Sequence, residues 1–387
     1  MTSPTLNITL VNQTNSSTVY SYITGQALDN KNAVFLLQSD GRTPYFPTSP
    51  SSTGAPLAVN CAIALGAPGS TTSAVIPHIA GGRIWFSIGT PLTFLLNPGP
   101  PGSSSGALVE PSPNNPSDPN INIMWGFCEF TYNNAQLFAN ISYVDFVSIP
   151  IALTLNNSAR ATQHVAGTAA NGLDTVCSGL QAQSAADHTN AWASLIVPNP
   201  SGGNLRALSP NNAPNPSLFD GYYKSYVDAV YSRYSSTPLT VDTQASFGTV
   251  SGTVTNNVLD FGTGGQFAKP SAHDIFSCST GPFADTSGER AAFVPRIAAA
   301  FNRSTLLLSS KTPDANPAQY YQISPTNHYS RIVHAANLDG RGYAFPYDDV
   351  TPTGGQDQSG AVQDGAPTLL TVTVGGQNAT PALRVQN

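Results

Sequence analysis

The run WGFCEFTYN (Trp125–Asn133), with ISYVDFV (Ile141–Val147) behind it, decides how the rest of the chain is read. Side chains alternate across a strand. Phe127, Glu129, Thr131 and Asn133 therefore share one face, and Cys128, Phe130 and Tyr132 share the other. The second face is apolar and belongs against a core. The first sets a carboxyl, a hydroxyl and an amide in a row, which suits the floor of a groove. Glu is disfavoured in strands, and Glu129 is one of only three glutamates in 387 residues. If the two runs form a hairpin turning near Ala135 to Ala139, Glu129 is expected opposite Asp145. Like charges opposed across strands destabilise a sheet, and a chain this poor in acids has no evident structural reason to pair them.

Paired carboxyls flanking a bond are what glycoside hydrolysis requires. One keeps a proton for the leaving oxygen, while the other stays ionised to activate water or attack carbon. Mutual repulsion and partial burial can separate their proton affinities. The plainer alternative is that Glu129 caps a loop and Asp145 ends a surface strand.

Working outward, the flanking chain is β in character from Thr5 to about Leu155, with short apolar runs at Thr5–Val11, Ala33–Gln38 and Gly82–Ile88. The Pro-, Gly- and Ser-rich stretch from Asn97 to Asp118 reads as a surface loop. Beyond Ala170 the period changes. Leu218, Tyr222, Val227, Val230 and Tyr234 recur at helical spacing behind a cap at Ser217 or Asn215. Glu289–Asn302 is a second helical pattern, bent or split at Pro295, and Thr326–Asn337 a third. Strand-like runs at Pro238–Thr243 and Val258–Gly262 separate them, and β character returns through Thr368–Gly375. The expected fold is mainly β with an α/β part: a β domain over 1–170 and 330–387, interrupted by a mixed α/β insertion over 171–329.

Composition narrows the function. Charged residues make up 9% of the chain with a formal charge of −6, against about a quarter in average domains. That excludes a phosphate-backbone partner and long exposed helices, while 40% hydrophobic residues can build a core. Ile84–Leu96 is too short and too interrupted to span a bilayer, so no membrane partner is expected. Low charge and abundant Ser, Thr and Asn favour a secreted, extracellular protein. The first residues lack the basic and apolar regions of a signal peptide, so either that peptide has already been removed or export takes another route. Seven sequons (Asn7, Asn12, Asn15, Asn140, Asn156, Asn302, Asn378) are about as many as chance supplies. Cys61, Cys128, Cys177 and Cys278 are widely spaced without a CxxC pair, which disfavours zinc and allows zero, one or two disulfides.

WGFCEFTYN followed by NISYVDFVSIPIAL resembles the active-site region of glycoside hydrolase family 64, the β-1,3-glucanases. CSGLQAQSAAD (Cys177–Asp187), FDGYYKSYVDAVYSRYSSTPLTVDTQ (Phe219–Gln244), FAKPSAHDIFSCSTGPF (Phe267–Phe283) and RIVHAANLDGRGYAFPYDDVTP (Arg331–Pro352) resemble the same family. The resemblance implies a thaumatin-like β-sandwich or barrel domain beside a mixed α/β domain, with a wide groove between them for a β-1,3-glucan strand. It implies an inverting endo-type β-1,3-glucan hydrolase with Glu129 as general acid and Asp145 as general base, their carboxyls roughly 6.5–9.5 Å apart.

 Thr131, Asn133, Phe138, Ser142, Tyr343 and Asp348 are the expected sugar contacts, although Asp348 and its neighbour Asp349 fit the cap of a turn equally well. Phe138 stands where the bacterial pattern has a tryptophan. A monomer acting on β-1,3-glucan without metal or cofactor is expected, releasing short laminari-oligosaccharides. The competing reading is a non-catalytic glucan-binding wall or antifungal protein on the same scaffold. His328 and His334, six apart on a helix, do not share a face and read as core or surface histidines. Tyr222, Tyr226 and Tyr231 read as helix packing, and Gly262–Gly265 as a turn.

Overall fold

The computed structural model describes residues 1–376. A five-stranded sheet sets the strand Pro367–Val374 between Thr5–Asn12, to which it runs parallel, and Ile151–Asn157, to which it runs antiparallel. Strands Thr71–Pro77 and Thr162–Val165 close its two edges. Leu6, Ile8 and Leu10 alternate into the core with Leu370, Val372 and Val374 beside them. Each such burial stabilises the fold by about 1.5–3 kcal/mol. Joining strands from opposite ends of the sequence makes that burial long-range.

The second large sheet carries the WGFCEFTYN run. Its order across the strands is Ala361–Asp364, Leu137–Ile141, Met124–Tyr132, Ile79–Ile88, Val19–Ala27, Ala33–Leu37 and Pro44–Tyr45, with Ile63–Ala64 paired to Val19–Ala27. The expected alternation is present: Cys128, Phe130 and Tyr132 are buried, and Glu129 and Thr131 are half-buried. Gly82 lies opposite Phe130. A Cβ at Gly82 would come within 2.5 Å of the Phe130 ring, so only glycine lets that ring lie across the strand.

Among the described residues five α-helices follow from Gly172 onward: α1 (Gly172–Ala186), α2 (Lys224–Arg233), α3 (Ala272–Ser277), α4 (Arg290–Asn302) and α5 (His328–Ala336). Two small sheets accompany them, one built on Asn204–Leu208 and one on Thr249–Thr255. α2 starts later than the spacing predicts, because Asn215 caps a separate turn at Pro216–Phe219. α4 runs through Pro295 as one element. Tyr226 and Tyr231 are buried on α2. Asp274 forms a capping box with Ser271 at the start of α3, a structural task. The chain is thus mainly β with several sheets. Among the described residues no helix is long and apolar enough to cross a membrane. All four cysteines are free and buried. Asn12, Asn140 and Asn302 are buried as well, which closes those sequons to a glycan; Asn378 lies outside the described residues.

Candidate active site

Glu129 is not paired with Asp145 across the hairpin. In the hairpin Glu129 pairs with Asn140 and Cys128 with Ile141, because the turn is tighter than expected: Asn133 Oδ1 accepts from Ala135 N at 2.8 Å and Gln136 N at 3.0 Å. The Asn133 oxygen expected at a sugar is therefore spent on the turn. Leu137–Ile141 ends before Asp145 is reached, leaving that acid in the link to the strand Phe146–Val147.

Strand register instead aligns Thr24, Arg83, Glu129, Asn140 and Ala361 in one row across five strands. Arg83 Nε lies 3.2 Å from Glu129 Oε1, and Arg83 Nη1 donates to Glu110 Oε2. Thr24 Oγ1 donates to the other Glu110 oxygen at 3.4 Å, and is itself fixed by Trp85 Nε1 at 2.9 Å. The guanidinium rests over the Phe127 and Trp85 rings, at 4.9 and 5.5 Å, a favourable place for a cation. Glu129 and Glu110 remain about a third exposed. Burial pushes the Glu110 carboxyl up; Arg83 and Thr24 oppose this, and the Glu129 charge adds to it.

Glu110 comes from the Pro-rich stretch, which is more than a surface loop. Ala107–Val109 is a strand leading into it, and the buried Arg206 ties down the following segment through the carbonyls of Pro113, Ile121 and Ile123, each at 2.9 Å. Arg206 also lies over Trp125 and Phe146.

Asp145 is half-buried and directly precedes Phe146, whose ring is 4.6 Å from Trp125 and 6.1 Å from Phe127. Asn212 Nδ2 donates to Asp145 Oδ1 at 3.1 Å and to Ser209 Oγ at 3.2 Å, while Ser209 N donates to the Asp145 carbonyl at 2.9 Å. Asn114 Nδ2 donates to Asn212 Oδ1 at 3.3 Å, so the Asn212 amide is held with its NH2 toward Asp145.

Among the other expected contacts, Thr131 and Phe138 are paired and half-buried on the Glu129 face. Ser142, 8% exposed, bridges to Tyr343. Burial raises the Tyr343 phenol, with the charge of Asp349, which it hydrogen-bonds, and those of Asp348 and Glu129 contributing. Asp348 is not a groove residue. It is fully buried, accepting from Arg303 Nη2 at 3.0 Å, His334 Nε2 at 2.9 Å and Ala344 N at 3.0 Å. Burial works to raise its carboxyl, but His334 and Arg303 hold it below its ordinary value. Burial likewise opposes the His334 imidazolium, which Asp348 nevertheless raises. His328 is buried beside Trp192 and pushed down to about 4 by burial and Arg331.

Sequence reasoning missed Arg83, Glu110 and Asn212. The signal for the first two was the one used for Glu129: a lone charge in a strand-like run, and a second of three glutamates.

A family model described as Beta-1,3-glucanase, glycoside hydrolase family 64, matches residues 4–374, and the chain belongs to that family. A glucan endo-1,3-beta-glucosidase of Cellulosimicrobium cellulans is 29% identical over 303 residues, covering 76% of this chain and 51% of its own. The chain thus spans about half the length of the curated relatives it matches. A laminaripentaose-producing beta-1,3-glucanase solved in complex with laminaritetraose is 30% identical, with a TM-score of 0.84 over 96% of this chain and 98% of that one. A beta-1,3-glucanase domain from Clostridium beijerinckii, 22% identical, shares the fold with a TM-score of 0.74, over 96% of this chain and 98% of that one.

Proposed function

We propose that the protein is an endo-acting glucan 1,3-β-glucosidase that hydrolyses β-1,3-glucan to short oligosaccharides with inversion. The observation that carries this reading is Glu129, a half-exposed carboxyl on the polar face of a strand in the matching family motif. Similarity along nearly the full length of a relative solved with laminaritetraose supports the substrate class.

In this reading the Glu129 carboxylic acid gives its proton to the glycosidic oxygen as the bond to C1 breaks. Asp145 takes a proton from the attacking water, whose oxygen bonds to C1 from the opposite face. Asn212 orients the Asp145 carboxylate. The products leave with Glu129 ionised and Asp145 protonated, and exchange with solvent resets both. Thr131 and Phe138 contact the sugar on the Glu129 face, in a groove between a thaumatin-like β domain and the α/β segment. The protein acts outside the cell.

Proton NMR of a fresh laminarin digest tests the chemistry. The first reducing ends should be α-anomers, and initial release of β-anomers would rule out the inverting assignment.

A further inference from the structure

Glu129 faces a difficulty that its motif does not explain. A general acid must hold a proton, yet the guanidinium of Arg83 lies 3.2 Å from its carboxyl, and an adjacent cation favours the ionised form. The same guanidinium also binds Glu110 through a different nitrogen. One cation therefore serves two carboxyls, and it can neutralise only one of them.

We propose that Glu110 is a positioning residue for the hydrolysis: it takes up the charge of Arg83, so that Glu129 can hold the proton it gives to the leaving oxygen. This rests on the reading of Glu129 as proton donor. Burial raises the Glu110 carboxyl, but Arg83 Nη1 and Thr24 Oγ1 each donate to one of its oxygens and so favour the ionised form that binds the guanidinium. The site is also built to deliver it. The strand Ala107–Val109 ends immediately before Glu110, Arg206 anchors the chain beyond, and Phe127 and Trp85 lie against the guanidinium.

The other groups around Glu129 do not supply this balance. Asn140 and Ala361 are its row neighbours on one side, and Thr131 and Phe127 flank it on its own strand. Cys128 points to the core with its thiol pushed up to about 12 by burial and by Glu129. Tyr343, backed by Asp349 and Asp348, is neutral and adds no cation. Arg83 and Glu110 are thus the charges that bear most directly on the Glu129 proton.

Because the chain has only three glutamates, Glu110, Glu129 and Glu289, carboxyl-labelled glutamate gives three resonances to follow by carbon NMR titration. Two coupled curves are expected for Glu110 and Glu129. In Glu110→Gln the Glu129 curve and the alkaline limb of kcat/KM should both move to lower pH by about half to one unit. In Arg83→Gln/Glu110→Gln, which removes both charges, they should move back. Independent single-step curves for Glu110 and Glu129 in the unmodified protein would overturn the proposal, as would a Glu129 curve indifferent to Glu110→Gln. The titration needs no substrate. A chain that fails to cleave glucan defeats the functional reading, whereas uncoupled spectra defeat this one.

Discussion

Two ion clusters in this chain use the same residue types to opposite ends. Around Arg83, two carboxyls share one cation at a half-exposed sheet face. Around Asp348, one carboxylate binds two cationic groups, Arg303 and His334, in a buried setting. An excess carboxyl open to solvent leaves a proton free to exchange, which is what acid catalysis needs. A buried carboxylate saturated by donors has no proton to give, and works as a structural tie. That tie joins α4 and α5 to the segment Tyr343–Val350.

Substitutions should separate the two clusters. Glu129→Gln should lower laminarin hydrolysis by about 10²–10⁴-fold while binding and thermal stability hold; reducing-end release and calorimetry read the two. Near wild-type release would end the assignment. Asp348→Asn should do the reverse, with about 3–5 kcal/mol lost from unfolding in urea, since it strands two buried cations.

The pH dependence of the buried tie follows from its shifts. His334 is raised in the folded state, so its contribution is full below its unfolded value and fades as pH rises through the folded one. Asp348 is lowered, so its contribution is present above its unfolded value and fades as pH falls through the folded one. His334→Gln should therefore cost more Tm at pH 6 than at pH 9, and equal losses at both would contradict the ion pairing. The smallest effect is expected at Thr131→Ala, a KM rise of about three- to tenfold, equivalent to one hydrogen bond, with kcat little changed.

Much of the candidate site was legible in the sequence because strand alternation is local. Glu129 and Thr131 had to share a face opposite Cys128, Phe130 and Tyr132 once the run was a strand. Asp348 was misplaced for the converse reason. A Tyr-Asp-Asp run carries no mark of which acid turns inward, and Arg303 and His334, which capture Asp348, lie 45 and 14 positions away. The hairpin register failed by a few residues because it depended on how the Asn133 side chain closed the turn.

The sequence by itself determined the β character of the first segment, the polar face holding Glu129, the helical spacing of the second half and the return to strand near the end, since each follows from periodicity within a few residues. Only the tertiary structure decided that Glu129 stands beside Arg83 and pairs across the hairpin with Asn140 rather than Asp145, and that Asp348 is buried. Those outcomes depend on strand register and on loops folding back over a sheet, where packing and charge act between residues far apart in the chain.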